Sequence, residues 1–174
     1  MKRDHRGFSM VELVVVIAII GILAGISVTM YSQVTYANTK KTVEEVSDML
    51  DKQRINSMSR KETQYLYIYH LDDGYYMKTL MDDGSGTVPV MDILNTSWLD
   101  DKGTKISTNG IKIYKDTESS GTLISGDTII RIVFRRSGAF DISSEGTNVS
   151  KIVFVGSGTH TITLIKETGK HLTD

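Results

Sequence analysis

The chain has 174 residues, 24% of them charged and 40% hydrophobic, with a formal net charge of −1 and a mean hydropathy of −0.13. That size suits one compact domain plus one long element; the mean hydropathy excludes a polytopic membrane protein, and the small net charge leaves no global field to recruit nucleic acid or anionic lipid. With no cysteine, disulfides, thiolate metal sites and cysteine nucleophiles are excluded together.

The charge is segmented. Residues 1–7 hold three bases against one acid, and residues 8–60 hold five of each. Residues 61–127 hold six bases against eleven acids, and residues 128–174 six against four. No block of like charge is long enough to form a disordered interaction tail.

The first predicted element starts at Phe8. From Phe8 to Met30 the chain reads FSMVELVVVIAIIGILAGISVTM, with Glu12 as its single charge, and the next charge is Lys40. A helix of about 20 apolar residues crosses a bilayer core of about 30 Å. The run exceeds the apolar stretch of a cleaved secretory signal, and no small-x-small cleavage site follows it. It therefore reads as a membrane-spanning helix, with its basic leader on the cytoplasmic side. Glu12 is costly there, at about 2.5–3.5 kcal/mol for an ionised carboxylate near the centre of a span. A cation would relieve it, and none lies within the run. The nearest candidate is an α-amino group at Phe8, which exists only if the chain is cut after Gly7. Ala18, Gly21, Gly25 and Thr29 form a stripe of small residues at helical spacing; such a stripe lets helices approach closely, although small residues are common in all spanning helices.

The stretch GFSMVELVVVIAIIGILAGI resembles the class III signal of type IV pilins and pseudopilins: the leader glycine, the phenylalanine after it, and glutamate at the fifth position from Phe8. The resemblance implies cleavage between Gly7 and Phe8 and N-methylation of Phe8 by a prepilin peptidase/methyltransferase. It implies entry of the helix into a fibre core among other pilin or pseudopilin subunits, at an assembly platform in the cytoplasmic membrane. It also implies that Glu12 neutralises the N-terminal amine of a neighbouring subunit, with Ala18, Gly21 and Gly25 at helix contacts. Before assembly the chain would be a single-pass protein with its N-terminus inside; afterwards it would be part of a surface or periplasm-spanning filament. Where many major pilins carry a helix-breaking proline, Thr29 stands here. An unbroken helix is the expectation, and with it a minor rather than a major subunit.

Residues 34–59 contain neither Pro nor Gly. Val43, Val46, Leu50, Arg54 and Met58 recur at roughly helical spacing, so the helix is predicted to continue, and a helix from Phe8 to about Ser59 would measure about 75–80 Å. From Gln64 the period changes to two. Tyr65, Tyr67 and Tyr69 alternate with Leu66, Ile68 and His70, Asp72-Asp73-Gly74 is a turn, and Tyr75–Leu80 returns as a hairpin. Further strands are predicted at Ile111–Tyr114, Thr128–Arg135, Ile152–Val155 and Thr161–Lys166, with turns at Ser137-Gly138 and Gly156-Ser157-Gly158. The expected layout is a leader (1–7), a membrane or filament-core helix (8–30), an amphipathic helix (31–60) and a head (61–174). The fold class is α+β: a long N-terminal helix laid on an antiparallel β-sheet head, which is the pilin fold if the resemblance holds. The last third, with its strand–glycine turn–strand and the step Thr168-Gly169-Lys170, also resembles the end of GspH/FimT-like minor pilins and pseudopilins.

Nothing in the chain assembles a catalytic constellation, so an enzyme is not expected, and neither is a cofactor or metal. His5, His70, His160 and His171 lack metal-ligand spacing. The two Asp-Asp-Gly stretches lack the alternating ligands of a calcium loop, and Gly156-Ser157-Gly158 lacks the helix and basic residue of a phosphate loop. Asn95 and Asn148 head short glycosylation sequons that arise often by chance, and Trp98 reads as a packing residue. The expected function is thus a structural filament subunit. Two other readings stand beside it. One is a head that binds DNA or another ligand through Arg131, Arg135, Arg136, Lys151, Lys166 and Lys170, against the plainer view that these are a solvated strand face. The other is a single-span anchor for an extracytoplasmic domain, which leaves Glu12 unexplained.

Overall fold

A computed structural model describes residues 9–60, 62–82, 102–108, 110–116, 121–126, 128–143 and 146–174. The leader with Gly7 and Phe8, and the stretch carrying Asp83, Pro89, Asn95 and Trp98, lie outside the described residues. The chain divides into two compact units, Met1–Val34 and Thr35–Asp174. One helix, α1 (Met10–Ser59), contributes to both.

Within the first unit, α1 leaves its large apolar side chains exposed, among them Val11, Leu13, Ile17, Ile20 and Ile26. A helix that is apolar all round is stable only in lipid or among other helices. It is long and apolar enough to cross a membrane.

The second unit adds nine strands to the rest of α1. They are β1 (Gln64–Leu71), β2 (Gly74–Met81), β3 (Thr104–Ser107), β4 (Lys112–Lys115), β5 (Thr122–Leu123), β6 (Ile130–Val133), β7 (Lys151–Val155), β8 (Thr159–Ile165) and β9 (Lys170–Thr173). Each strand pair is antiparallel. Instead of the one sheet expected, there are two: a four-stranded sheet in the order β3-β2-β1-β6 and a five-stranded sheet in the order β5-β4-β7-β8-β9. Alternation and glycine turns mark where strands start and stop, but not which strands pair, so they could not separate one sheet from two. Asp72 and Asp73 join β1 to β2 with Leu71 opposite Gly74, as the turn signal predicts. The strand expected at Thr128–Arg135 is shorter, because after Phe134 the chain turns back: Arg135 N–H donates to Ala139 O, and Phe134 pairs with Phe140 in an isolated bridge. β3, β5 and β9 were not expected; two to four residues are too few to show a period of two.

Both sheets bury one face in a single core. Leu66, Ile68, Ile130 and Ile132 enter it from the first sheet, Ile113, Ile152, Phe154 and Ile162 from the second, and Val43, Val46 and Leu50 from α1. The expected helix stripe is right as far as Leu50 and then departs. Gln53 and Ser57 are buried, Arg54 is half-buried and Met58 is 57% exposed. The reason is angular. Steps of three and four residues must alternate to hold one face at about 100° per residue, whereas Leu50–Arg54–Met58 takes two steps of four and rotates away. On its other face the first sheet carries a second apolar cluster of Tyr65, Tyr67, Tyr69, Tyr76 and Val133.

The free side of β6 is covered by the chain that follows it: Asn148 N–H donates to Arg131 O at 3.0 Å and Asp141 N–H to Val133 O at 2.8 Å, and side chains complete the seal. Asn148 accepts the Arg131 N–H through Oδ1 at 2.9 Å and donates from Nδ2 to Ile129 O at 3.2 Å. The Thr147 hydroxyl accepts the Val133 N–H and donates to the Val133 carbonyl, both at 3.0 Å. Asn148, which heads a sequon, is thereby committed to the strand edge. Replacing Asn148 by Ala should lower stability by about 1–3 kcal/mol, the penalty for leaving a half-buried backbone pair without partners. The denaturation midpoint of the detergent-solubilised chain measures this; an unchanged midpoint would show that water replaces the amide at no loss.

Candidate functional site

Helix α1 opens with a reciprocal cap. Ser9 stands at the N-cap: its Oγ accepts the Val11 N–H at 3.3 Å, and its carbonyl accepts the Leu13 N–H at 3.1 Å. Glu12 folds back, so that its Oε2 accepts the Ser9 N–H at 2.9 Å. This is a capping box, and it also sets a negative charge at the positive end of the helix dipole. A carboxylate that had no partner in the apolar run thus has one in its own backbone. Ser9 was not among the expected site residues, although S-x-x-E ahead of an apolar run is the sequence signature of this cap. Gly7 and Phe8, the expected cleavage and methylation positions, lie outside the described residues.

Ala18, Gly21 and Gly25 are all exposed on the same helix. A Cβ placed on Gly21 or Gly25 would meet nothing within 4 Å. Glycine within a helix is less favourable than alanine by roughly 1 kcal/mol, and packing among the described residues gives no reason for either one. Further along, Ser27 Oγ donates to Leu23 O at 2.9 Å and Thr29 Oγ1 to Ile26 O at 2.8 Å. These back-bonds satisfy hydroxyls that would otherwise be unpaired in lipid, and α1 continues through Thr29 without a break.

The six basic residues of the DNA reading fall into two groups. Arg131 lies on β6 opposite Tyr67, and its Nε donates to Gly146 O at 2.9 Å. Burial pushes the Tyr67 hydroxyl up to about 12, with Arg131 opposing that rise. Arg135 spans Asp141, with Nε and Nη2 at 3.3 and 3.2 Å from Oδ1. Arg136 lines a cavity of about 220 Å³ with Ser57, Glu62 and Asp141. All three arginines sit in or just after β6 in the first sheet. Lys151 and Lys170 open β7 and β9 of the second sheet, and Lys166 follows β8; all three are exposed.

The three described histidines are held in contacts within the head. His70 stacks edge-on to Tyr75, His160 lies against Tyr36, and His171 meets Ser47 and Asp51. Among the described residues no group of three or more His, Cys, Asp or Glu could hold a metal ion.

The clearest charge contact of the head ties β3 to the β1–β2 turn. Asp73 Oδ2 accepts from Lys105 Nζ at 2.9 Å and from the Tyr76 hydroxyl at 2.7 Å. The Lys105 hydrogen bond, and then that of Tyr76, hold the Asp73 carboxyl at about 2 against its ordinary 3.8. The folded state therefore binds the proton less readily than the unfolded chain. The stabilisation is complete above pH 3.8 and is lost as pH falls towards 2. Asp73→Asn should flatten that acid arm of the thermal midpoint and lower the value near pH 7 by the same increment, a small one because the pair is solvent-exposed. An acid arm of unchanged slope would refute the assignment.

Comparison with known proteins agrees with the helix. Residues 2–28 match the family model described as the prokaryotic N-terminal methylation motif. Two fimbrial proteins of Pseudomonas aeruginosa are each 37% identical to the chain over 94 residues, covering 48% of this chain and 56% of the relative. The chain thus spans about half the length of the curated relatives it matches. No solved structure matches it.

Proposed function

We propose, from its N-terminal motif and its similarity to fimbrial proteins, that the chain is a type IV pilin and serves as a structural, minor subunit of a type IV pilus or a type II secretion pseudopilus. It is cut after Gly7, N-methylated at Phe8, and drawn from the cytoplasmic membrane into a filament by its first helix. The observation that carries this reading is the coincidence of the motif with a helix whose apolar surface is exposed all round and whose Gly21 and Gly25 serve no contact among the described residues. Between subunits those glycines let helices approach closely. Glu12 then meets the α-amino group of an adjoining subunit. An ion pair in lipid serves chiefly to select register, since lone ions are penalised. The unbroken helix at Thr29 and the ending Thr168-Gly169-Lys170 support the minor role.

Mass spectrometry of the N-terminal peptide from the host's membrane and surface fractions tests the proposal. The expected mature chain begins at N-methylated Phe8. Recovery of Met1 or Lys2 on surface-exposed protein would refute it.

A further inference from the structure

Within the head, α1 and the edge of the second sheet bring together a serine, a histidine and an aspartate that the filament reading does not use. β9 is an edge strand of its sheet. On it His171 stands opposite Leu164, a core residue, so its ring is directed inward to α1. Ser47 and Asp51 lie one helical turn apart on α1 and meet that ring together. Ser47 Oγ is 2.5 Å from His171 Nε2, and Asp51 Oδ1 is 3.9 Å from His171 Nδ1. Hydroxyl and carboxylate thus engage opposite nitrogens of one ring, and only 8% of the His171 side chain is exposed. With the ring proton on Nδ1, facing Asp51, Nε2 is the acceptor for the serine proton, as a general base requires.

Ser47 also lines a cavity of about 280 Å³, at the small end of ligand pockets. Tyr36 and Val43 supply apolar lining, and Glu44, Asp48 and Asp174 outnumber Lys40. His160 lines the same cavity. It stands opposite Phe154 on the core face of β8, and its Nε2 is buried without a hydrogen-bond partner. Such an orphan is costly unless a group from outside pairs with it. Ser47 sits in mid-helix, where backbone N–H groups are spent on the helix itself, so a side chain has to supply the donor for an oxyanion. His160 Nε2–H is that donor. We propose that Ser47, His171 and Asp51, with this cavity, form a serine-esterase site for small uncharged or cationic esters. Ser47 Oγ adds to the ester carbonyl carbon as its proton passes to His171 Nε2, and His160 meets the oxyanion. Collapse breaks the bond to the alcohol, which leaves with the proton from His171, and the acyl group stays on Ser47. Water then adds to that carbonyl and gives a proton to His171. The carboxylic acid departs as Ser47 Oγ regains the proton. The acidic lining disfavours anionic esters.

The test uses the full chain in detergent micelles and two reagents: a fluorophosphonate, which phosphonylates activated serines, and the short-chain ester p-nitrophenyl butyrate. Peptide mass spectrometry should place the phosphonate on Ser47. Ester hydrolysis by the wild-type chain should fall in proportion to that labelling, a result that needs no variant. Ser47→Ala, purified in parallel, should lose both labelling and hydrolysis. His171→Gln should lower kcat about 100-fold, the usual contribution of a general base. His160→Phe removes the oxyanion donor and should lower kcat by about as much, with KM little changed. Asp51 is a positioning residue, 64% exposed and distant from the reacting atoms. Asp51→Asn should therefore lower kcat by only about tenfold and leave KM unchanged; a purely structural tie would shift the thermal midpoint alone. An unlabelled Ser47 in the folded wild-type chain overturns the proposal. So does labelling that persists in a folded His171→Gln variant, or hydrolysis that survives Ser47→Ala. None of these results bears on where the mature chain begins, so this proposal and the filament reading fail separately.

Discussion

Replacing Gly169 by alanine should destabilise the head by about 3–5 kcal/mol, combining backbone strain with overpacking. Gly169 sits at the β8–β9 turn with φ +64, in the left-handed region. Its N–H donates to Ile165 O at 3.0 Å, which fixes that conformation. A Cβ there would also collide with the Gly138 carbonyl oxygen. That carbonyl already accepts from Arg54 Nε at 3.2 Å, and Phe140 N–H donates to Lys166 O at 3.2 Å. Three segments thus meet at one point: the end of α1, the turn after β6 and the turn after β8. None can retreat without breaking a hydrogen bond to another. Gly126→Ala is the matched control, with φ +53 but nothing within 4 Å of its added methyl; it should lose only about 1 kcal/mol from conformation. Denaturant unfolding of the two variants separates crowding from backbone strain. Equal losses would mean that the junction yields.

The second large effect is expected at Glu12, where two substitutions divide two roles. Glutamine at the third helical position preserves a capping box, so Glu12→Gln keeps the bond to Ser9 while removing the charge. Glu12→Ala removes both. If the carboxylate acts by pairing with a neighbour's ammonium, filament incorporation should fall by at least tenfold in both variants. Membrane insertion should be undiminished or better in both, because an ionised group has left the apolar layer. If the cap were the whole function, Glu12→Gln would assemble normally and Glu12→Ala alone would fail. The measurement is the share of subunit recovered in sheared filaments relative to membranes, and normal assembly of Glu12→Gln would refute the ion-pair role.

How much of this was legible in the residues depends on the range of the interaction. The apolar run from Phe8 and the hairpin around Asp72-Asp73 are local patterns, and the chain shows them openly. Val43, Val46 and Leu50 were legible as a helix face for the same reason. Gln53 and Ser57 were not, because polar residues give no periodic signal even when the geometry buries them. The division into two sheets was hidden, since it depends on β6 returning to β1 while β7 goes to β4. The candidate basic residues were half legible. Lys151, Lys166 and Lys170 stand out as charges. Arg131 and Arg135 had looked equivalent to those lysines because partners such as Tyr67 and Asp141 are chosen by tertiary contact.

The closure of β6 by Thr147 and Asn148 has a consequence for the very high local density that the proposed filament would impose. Copies held side by side meet one another's backbones continually, and a bare strand is a template on which foreign strands can add without limit. The segment carrying Thr147 and Asn148 removes that template at β6, which in the proposed filament would leave association to the N-terminal helix. A variant with this rim uncovered would thus be expected to form amorphous or amyloid-like deposits in preference to ordered fibres, even where its monomer still folds.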